Sequence, residues 1–338
     1  MTTKTLLLAL TAMTALPMSA SPDSTTTQGW KKYLPTLHGT FRGRFEYDTD
    51  NGAGRFGVRN SRLSLKGSVI PSLGYFAQVD LSQNGKIVLL DTWADYSPAP
   101  GLKLYLGQMR VPFSVDASRL PHLYYFSNRS ALARYLGNMR SVGFKGGYHV
   151  PHTGLYAEAG VFNSTSMTDH SVWQKGMVYS AKANYTIHMD AVTLLPEFGA
   201  QSIRPSGHRM GQIDASMSIA WNRLFVEGEY IRRHYNLADL RDTDAYNVFA
   251  SYSIPLSRRG YSISVQARWD RMTAFSDGST DQAGALIYTR LPSERLTGGV
   301  TYSHRIGPVH ADLRLDYEHY IQRADEPSRA VAEVVIYF

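Results

Sequence analysis

Alternation of apolar and polar residues constrains the fold of this sequence more than any other feature. In residues 38–48, Phe41 and Phe45 fall on one face of an extended strand, whereas Arg42 and Arg44 fall on the other. This period of two is the signature of a β-strand with chemically distinct faces. The pattern recurs in sixteen segments, which are residues 38–48, 59–69, 74–82, 87–97, 102–109, 142–150, 154–162, 177–185, 191–202, 212–221, 224–231, 245–254, 261–270, 295–304, 309–320 and 330–338.

An even number of strands, each near ten residues long, is what a transmembrane barrel requires. Short turns, such as residues 97–101 and 222–223, alternate with longer connections, such as residues 163–176 and 272–294. In these barrels the short turns are periplasmic and the long loops extracellular, so both chain ends are expected on the periplasmic side. The sequence therefore predicts an all-β fold, a transmembrane antiparallel β-barrel of about 16 strands.

A soluble all-β protein is the alternative, in which the apolar stripes would face a core. A core of that size would contain near-continuous apolar strands, and few of the segments are of this kind. Several of the 22 tyrosines also lie near segment ends, including Tyr47, Tyr96 and Tyr148. Aromatic girdles belong at the two interfaces of a bilayer, so the membrane barrel is favoured.

The N-terminus indicates export from the cell interior. Residues 1–20 place Lys4 before an apolar run and end with Ala20, which is the pattern of a cleaved secretory signal peptide. Residues 21–37 form a polar lead-in, and residues 38–338 contain all the alternating segments. We therefore expect a signal peptide, a lead-in and one barrel, located in the cell outer membrane and in contact with its lipid.

The last segment supports the same location. Ala330, Ala332, Val334, Ile336 and Phe338 form one apolar stripe that ends at the terminal carboxylate. A chain that ends in this way is similar to outer-membrane barrels, whose assembly machinery recognises such an end. We therefore expect the barrel assembly machinery to be a partner through Phe338.

Residues 112–141 are the longest stretch between two alternating segments that does not itself alternate. Ser127 or Asn128 could cap a short helix that ends near Gly137, and Leu132 and Leu136 would then pack on the inner wall. We predict a constriction loop folded into the lumen. Its basic residues would be Arg119, Arg129, Arg134 and Arg140, and a ring of basic residues at a constriction favours anions and phosphate.

Strand parity predicts a charged and therefore watery lumen. The inward basic residues are Arg42, Arg44, Arg62, Lys66, Lys103, Lys145 and Lys182, with Arg268 and Arg314 further along the chain. The inward acidic residues are Glu197, Asp214, Glu227, Glu229, Asp270, Asp312, Asp316, Glu318 and Glu333. Opposite signs on opposite arcs would produce a transverse field. The alternative for each residue is that it pairs across adjacent strands and stiffens the wall.

Signals of enzyme chemistry are absent from the sequence. It contains no GxSxG, HExxH or P-loop pattern, and the GxGxxG match at residues 52–57 is followed by a strand and is better explained as a Gly-rich hairpin loop. With no cysteine, thiolate metal sites are excluded. We expect no enzyme activity, cofactor, metal or nucleic acid partner. A structural or adhesive barrel, and less readily a barrel enzyme, remain alternatives to a channel.

Several segments resemble the phosphate-selective porin O and P family. They are FGVRNSRLSLKG (residues 56–67), LLDTWADYSPAPGLKLYLGQMRVPFS (residues 89–114), FSNRSALARYLGNMRSVGFKGG (residues 126–147), ARWD (residues 267–270) and ERLTGGVTY (residues 294–302). Together they span most of the chain that follows the expected signal peptide.

The resemblance implies a sixteen-stranded outer-membrane porin, usually a homotrimer, whose third extracellular loop lies inside the barrel. By position, Arg110, Arg129, Arg134 and Arg140 would belong to the basic constriction. Arg59 and Arg62 would lie on the wall, although Asn60 stands where the family often has a second basic residue. The expected function is passive diffusion of small solutes through a water-filled channel, with a preference for phosphate or other small anions.

Overall fold

The computed structural model describes residues 34–83, 85–137, 139–164, 171–236, 240–256, 260–322 and 326–338. The expected signal peptide and most of the lead-in lie outside these residues. The strands are β1 (Thr36–Asp48), β2 (Ala53–Ile70), β3 (Leu73–Gln83), β4 (Lys86–Ala99), β5 (Leu102–Arg110), β6 (Arg140–His149), β7 (Leu155–Phe162), β8 (Val178–Tyr185), β9 (Ile187–Met189), β10 (Val192–Ile203), β11 (Met210–Trp221), β12 (Leu224–Tyr235), β13 (Thr243–Pro255), β14 (Tyr261–Met272), β15 (Ser293–Ile306), β16 (Val309–Gln322) and β17 (Arg329–Tyr337).

The sheet closes into a barrel because β1 pairs with both β2 and β17. Each strand is antiparallel to its neighbours, and β8 and β9 pair with β10 as two parts of one strand that is interrupted at Thr186. When β8 and β9 are counted as one strand, the barrel has 16 strands. The predicted transmembrane barrel of about 16 strands is confirmed. Among the described residues, no helix is long and apolar enough to cross a membrane.

The apolar face of each strand points outward and the polar face points inward. In β16, Leu313 and Leu315 are exposed on the outside, whereas Arg314 and Asp316 are buried inside. In β12, Glu227 and Glu229 likewise point inward. This is the reverse of a soluble protein and is stable only when lipid surrounds the barrel.

The start of β2 differs from the prediction. The strand begins at Ala53, and the Gly-rich residues 53–57 pair with β1 instead of forming a loop. The turn itself is shorter and is held by Asp48, whose Oδ1 accepts the backbone N–H groups of Asp50 and Asn51 at 2.9 and 3.0 Å. The sequence signal was misleading because glycine is common in both turns and extended hairpin arms.

The described residues between β5 and β6 (residues 111–137 and 139, here called the inner loop) lie inside the barrel. The inner loop contains a short helix α1 (Val115–Ser118), a 3₁₀ turn (Pro121–Leu123) and a π-helical turn (Ala133–Gly137). Ser130 provides the cap of the last turn by accepting from the Ala133 N–H group at 3.2 Å, in place of the predicted Ser127 or Asn128.

Packing explains why the inner loop remains inside the barrel. Leu132 and Leu136 pack against Ile231, Ala245 and Met272 of the far wall, as predicted. All five side chains are buried. Burying each side chain of this kind contributes about 1.5–3 kcal/mol, so the cluster is a substantial anchor.

Candidate functional site

The lumen has two walls that differ in their relation to the inner loop. We call the inward face of β11–β17 and β1 the docking wall, because the inner loop lies against it. We call the inward face of β2–β8 the open wall, because some of its charged side chains retain contact with water. Lys103 and Lys145 of the open wall are 29% and 18% exposed, whereas Glu227 and Glu333 of the docking wall are 0% exposed.

Carboxylates of the docking wall bind the backbone of the inner loop. Glu229 accepts the N–H groups of Val115 and Asp116 at 2.9 and 3.1 Å. Asp316 accepts the Ser127 N–H at 2.5 Å, and Asp270 accepts the Ala131 N–H at 3.0 Å. These predicted lumen acids therefore have a structural use, since a buried N–H group without a partner would be costly.

Two arginines predicted for the solute pathway are instead buried in the docking wall. Arg119 forms ion pairs with Glu227 and Asp116 at 2.5 and 2.8 Å, and only 3% of its side chain is exposed. Arg42 pairs with Glu333 at 2.8 Å and donates to the Ser127 carbonyl at 2.6 Å. Their charges are neutralised by adjacent carboxylates, so both side chains anchor the inner loop.

Neutralisation also affects much of the open wall. The sequence places the partner acids on the polar face but does not assign them to particular bases. Four pairs join adjacent strands, and they are Arg62 with Asp80 (3.0 Å), Lys103 with Asp95 (2.7 Å), Lys145 with Glu158 (2.8 Å) and Lys182 with Glu197 (3.2 Å). The alternative of pairing across adjacent strands therefore describes these four bases. Arg140 of β6 instead reaches past β5 to Asp91 of β4 at 3.0 Å.

Arg110 and Arg129 are different, because neither forms an ion pair with a carboxylate among the described residues. Arg110 donates to the carbonyls of Ala117 and Arg119. Arg129 donates from Nε to the Tyr124 hydroxyl at 2.7 Å and from Nη2 to the Arg119 carbonyl at 3.2 Å. Neutral acceptors leave the guanidinium charge in place, so each of the two keeps a full positive charge at the site.

Two further arginines, Arg62 and Arg140, bring guanidinium donors to the same place, although their charges are paired with Asp80 and Asp91. Arg140 lies directly opposite Arg110 in the β5–β6 ladder, so their side chains share the inward face. Nη1 of Arg62 and Nη1 of Arg129 are both buried without a hydrogen-bond partner among the described residues. We call Arg62, Arg110, Arg129 and Arg140 the arginine cluster. Its unused donors can bind an anion, and planar guanidinium groups suit phosphate or carboxylate oxygens.

Tyr124 of the inner loop lies among these arginines, and nothing in the local sequence pattern distinguished it. Burial raises the pKa of its phenol, but four guanidinium charges lower the pKa by more, to about 8. The four belong to Arg129, Arg110, Arg42 and Arg62. The ring also lies 4.8 Å from Cζ of Arg129 and 4.8 Å from Cζ of Arg42.

The remaining predicted residues lie outside the cluster. Arg134 pairs with Glu326 of the β16–β17 connection at 2.7 Å and is 49% exposed. Arg44 pairs with Glu46 at 2.9 Å and donates to Asn128 at 2.9 Å. Arg59 is exposed at the bulge where β1 and β2 shift register, and Lys66 is partly exposed on the open wall.

The family model for "Phosphate-selective porin O and P" matches residues 36–204, which include the open wall and the whole inner loop. The chain belongs to the phosphate-selective porin O and P family. Sequence comparison with curated proteins found no significant match. Membership of this porin family and the closed barrel make the protein an outer-membrane channel for small solutes.

Solved porin structures share the fold of this porin. OprB of Pseudomonas putida superposes with a TM-score of 0.62 at 12% identity, covering 91% of this chain and 95% of its own. An anion-selective porin from Comamonas acidovorans gives 0.60 at 15% identity, covering 90% and 98%. The trimer form of OmpT, an outer-membrane protein of Vibrio cholerae, gives 0.59 at 11% identity, covering 90% and 99%. At these identities the similarity establishes the fold alone.

Proposed function

We propose that this porin prefers anions, with phosphate as the favoured class of solute, and that the arginine cluster is the selective element. The observation that carries the proposal is that Arg110 and Arg129 keep charges that no described carboxylate neutralises. A small anion would enter from bulk water, exchange part of its hydration shell for guanidinium donors, and leave along weaker sites. Electrostatic enrichment at the narrowest point raises the local anion concentration without any chemical step.

Bilayer electrophysiology tests the proposal directly. Purified protein in a planar bilayer with a KCl gradient should give a reversal potential of the sign expected for chloride permeation. Replacing both Arg110 and Arg129 with Gln should lower the anion-to-cation permeability ratio several-fold, because it removes the two uncompensated charges. Arg134→Gln is the matched control, since this arginine lies in an exposed pair with Glu326.

The outcomes separate the alternatives. Cation preference of the unmodified channel, or a double variant with unchanged selectivity, would contradict the proposal. Complete absence of discrete conductance would favour a structural or adhesive barrel. Phosphate preference is a narrower claim, and it requires phosphate to reduce the chloride current at concentrations where sulfate and acetate do so less.

Assembly and targeting belong to the same proposal. We expect a homotrimer, as in the trimeric form of the Vibrio cholerae protein, and export through a signal peptide at residues 1–20. The C-terminus supports recognition by the barrel assembly machinery: Phe338 exchanges two 3.2 Å backbone hydrogen bonds with Gly39, and its side chain is 48% exposed on the outer surface. The ring lies where a side chain on Gly39 would be, so a larger residue at position 39 would displace the Phe338 ring.

A further inference from the structure

A row of aromatic side chains on the open wall has no part in the function proposed above. Phe76, Trp93 and Tyr105 all point into the lumen from β3, β4 and β5, and all three are partly exposed. Rings that face water in a lumen otherwise lined by charged groups leave apolar surface hydrated, which is unfavourable. We call these three residues the aromatic patch.

The rings are arranged as a platform. Phe76 and Trp93 are directly opposite each other in the β3–β4 ladder and stack with centroids 4.3 Å apart at an interplanar angle of 22°. Tyr105 meets Trp93 edge to face at 6.3 Å and 75°. The residue opposite Trp93 on its other side is Gly107, which has no side chain to cover the indole. Trp93 and Tyr105 also pack against a buried cluster that includes Met109 and Phe162, and the part of the platform that stays exposed is where a planar group can stack.

Positive charge borders the platform on two sides. Lys66 is directly opposite Phe76 in the β2–β3 ladder and forms no ion pair with a carboxylate among the described residues. Trp93 is two residues from Asp91, which pairs with Arg140 of the arginine cluster. Inward residues two apart on a strand are separated by about 7 Å, so the platform lies about that distance from Asp91 and its partner Arg140. It lies on the side of the cluster that faces the short turns.

The acids near the platform are already neutralised. Asp95 pairs with Lys103 at 2.7 Å, and Glu158 pairs with Lys145 at 2.8 Å. The ammonium groups of Lys103 and Lys145 lie 5.4 and 5.0 Å from the centroid of the Tyr105 ring. Cations at this distance are attracted to the ring face and hold Tyr105 in place. The surroundings therefore favour an anion over a cation or a neutral sugar.

We propose that the aromatic patch is a binding site for small anions that carry a planar aromatic ring, of which benzoate is the simplest. The carboxylate would lie between Lys66 and the arginine cluster, and the ring would stack on Phe76 and Trp93. Ring stacking adds affinity that acetate or phosphate cannot gain. The inference rests on the anion-preferring, water-filled lumen proposed above, because an aromatic anion must first enter the channel.

Current block in a planar bilayer provides the test, with benzoate, acetate and glucose 6-phosphate as probes. Benzoate should reduce the single-channel chloride current at a concentration about tenfold below that required for acetate, a ratio that one stacking contact supplies. Trp93→Ala should bring the two concentrations within about twofold of each other. Trp93→Phe, which keeps a ring, should retain most of the difference. Trp221→Ala is the control, because Trp221 is 53% exposed on the outer face.

Tryptophan fluorescence gives a second readout in detergent. Among the described tryptophans, Trp93 alone faces the lumen, since Trp221 and Trp269 point outward and Trp173 lies in the β7–β8 connection. Benzoate should therefore change the emission of the unmodified protein and leave that of Trp93→Phe unchanged. Chloride conductance of each variant shows that its barrel is folded.

Several results would overturn the inference. Equal block by benzoate and acetate in an anion-selective channel would contradict it. A benzoate advantage that persists in Trp93→Ala would also contradict it and would indicate partition into the lipid. A stronger block by glucose 6-phosphate would assign the platform to sugar phosphates instead. Failure of the proposed function is seen separately, as cation preference in the KCl gradient before any probe is added.

Discussion

The docking wall and the open wall are built from the same kinds of strand and residue, but their charges have different uses. On the docking wall, carboxylates such as Glu229 and Asp270 accept backbone N–H groups of the inner loop and are buried. On the open wall, most bases pair with acids of neighbouring strands and remain partly hydrated. A charged lumen therefore does not have a uniform field, because the sign at each place depends on which charges have partners.

This difference corrects the idea of a transverse field between basic and acidic arcs. The acidic arc is largely neutralised by Arg42, Arg119, Arg268, Arg295, Arg314 and Arg329 and by backbone donors. The basic arc is partly neutralised by Asp80, Asp91, Asp95 and Glu158. The excess that remains at the arginine cluster is positive, at Arg110 and Arg129, and Lys66 of the open wall also lacks an ion pair among the described residues.

The largest expected effect comes from removing an ion pair that anchors the inner loop to the docking wall. Glu227→Ala would leave Arg119 buried with Asp116 as its single carboxylate partner. Removing one partner of a buried ion pair costs about 3–5 kcal/mol, so we expect the inner loop to leave the wall. Single-channel recordings should show larger and noisier conductance. The triple variant Arg119→Met, Glu227→Leu and Asp116→Asn removes all three buried charges and should restore most of the original conductance. Equal behaviour of the single and triple variants would contradict a role for these ion pairs.

A smaller effect is expected from releasing a charge on the open wall. Asp91→Asn removes the partner of Arg140 without changing the shape of the side chain, so the arginine cluster gains one net positive charge. Anion preference, measured by reversal potential, should rise by about twofold to threefold, since the site is partly hydrated. Asp270→Asn on the docking wall is the matched comparison and should leave selectivity closer to that of the unmodified protein. A fall in anion preference for Asp91→Asn would contradict the assignment of the cluster.

The pH dependence of selectivity should be smaller again and should depend on Tyr124. Its phenol is neutral below its pKa of about 8 and negatively charged above it. Raising the pH from 7 to 9 therefore adds a negative charge among the arginines and should lower anion preference. Reversal potentials at both pH values measure the change. Tyr124→Phe should remove this component, and an unaltered pH dependence in that variant would assign it to another group.

The smallest effect is expected outside both walls. Arg134 is 49% exposed and pairs with Glu326, and an exposed pair contributes roughly 0–1 kcal/mol. Arg134→Ala should leave conductance, selectivity and thermal stability close to those of the unmodified protein. A marked loss of anion preference would show that this arginine contacts the solute after all.

Much of the fold could be predicted from the sequence because strand alternation is a local property. The parity that places Arg314 and Asp316 inward needs only the order of residues within β16. Membrane location follows from the same pattern, since lipid is the solvent that allows apolar residues to cover the outside of a barrel. Leu132 and Leu136 could also be assigned to the wall, because four-residue spacing puts them on one face of a helical turn.

The proposed selective element could be predicted only in part. The sequence predicts Arg110, Arg129 and Arg140 at the constriction, but it predicts Arg119 there as well and places Arg42 on the lumen wall. The partners that distinguish them are far away in the sequence: Arg42 pairs with Glu333 and Arg119 with Glu227. Tyr124 and the aromatic patch were missed because aromatic residues in a barrel are usually assigned to the membrane interfaces.

The sequence by itself therefore determined the closed barrel, the faces of its strands and the presence of a basic segment between β5 and β6. These depend on periodicity, which is read within a few residues. Only the tertiary structure decided which charged side chains in the lumen lack an ion-pair partner. Ion pairing depends on contacts of about 3 Å between side chains that are distant in sequence and meet when the barrel closes. The same contacts anchor the inner loop mainly on the docking wall, and Arg110 and Ser180 of the open wall also donate to its carbonyls.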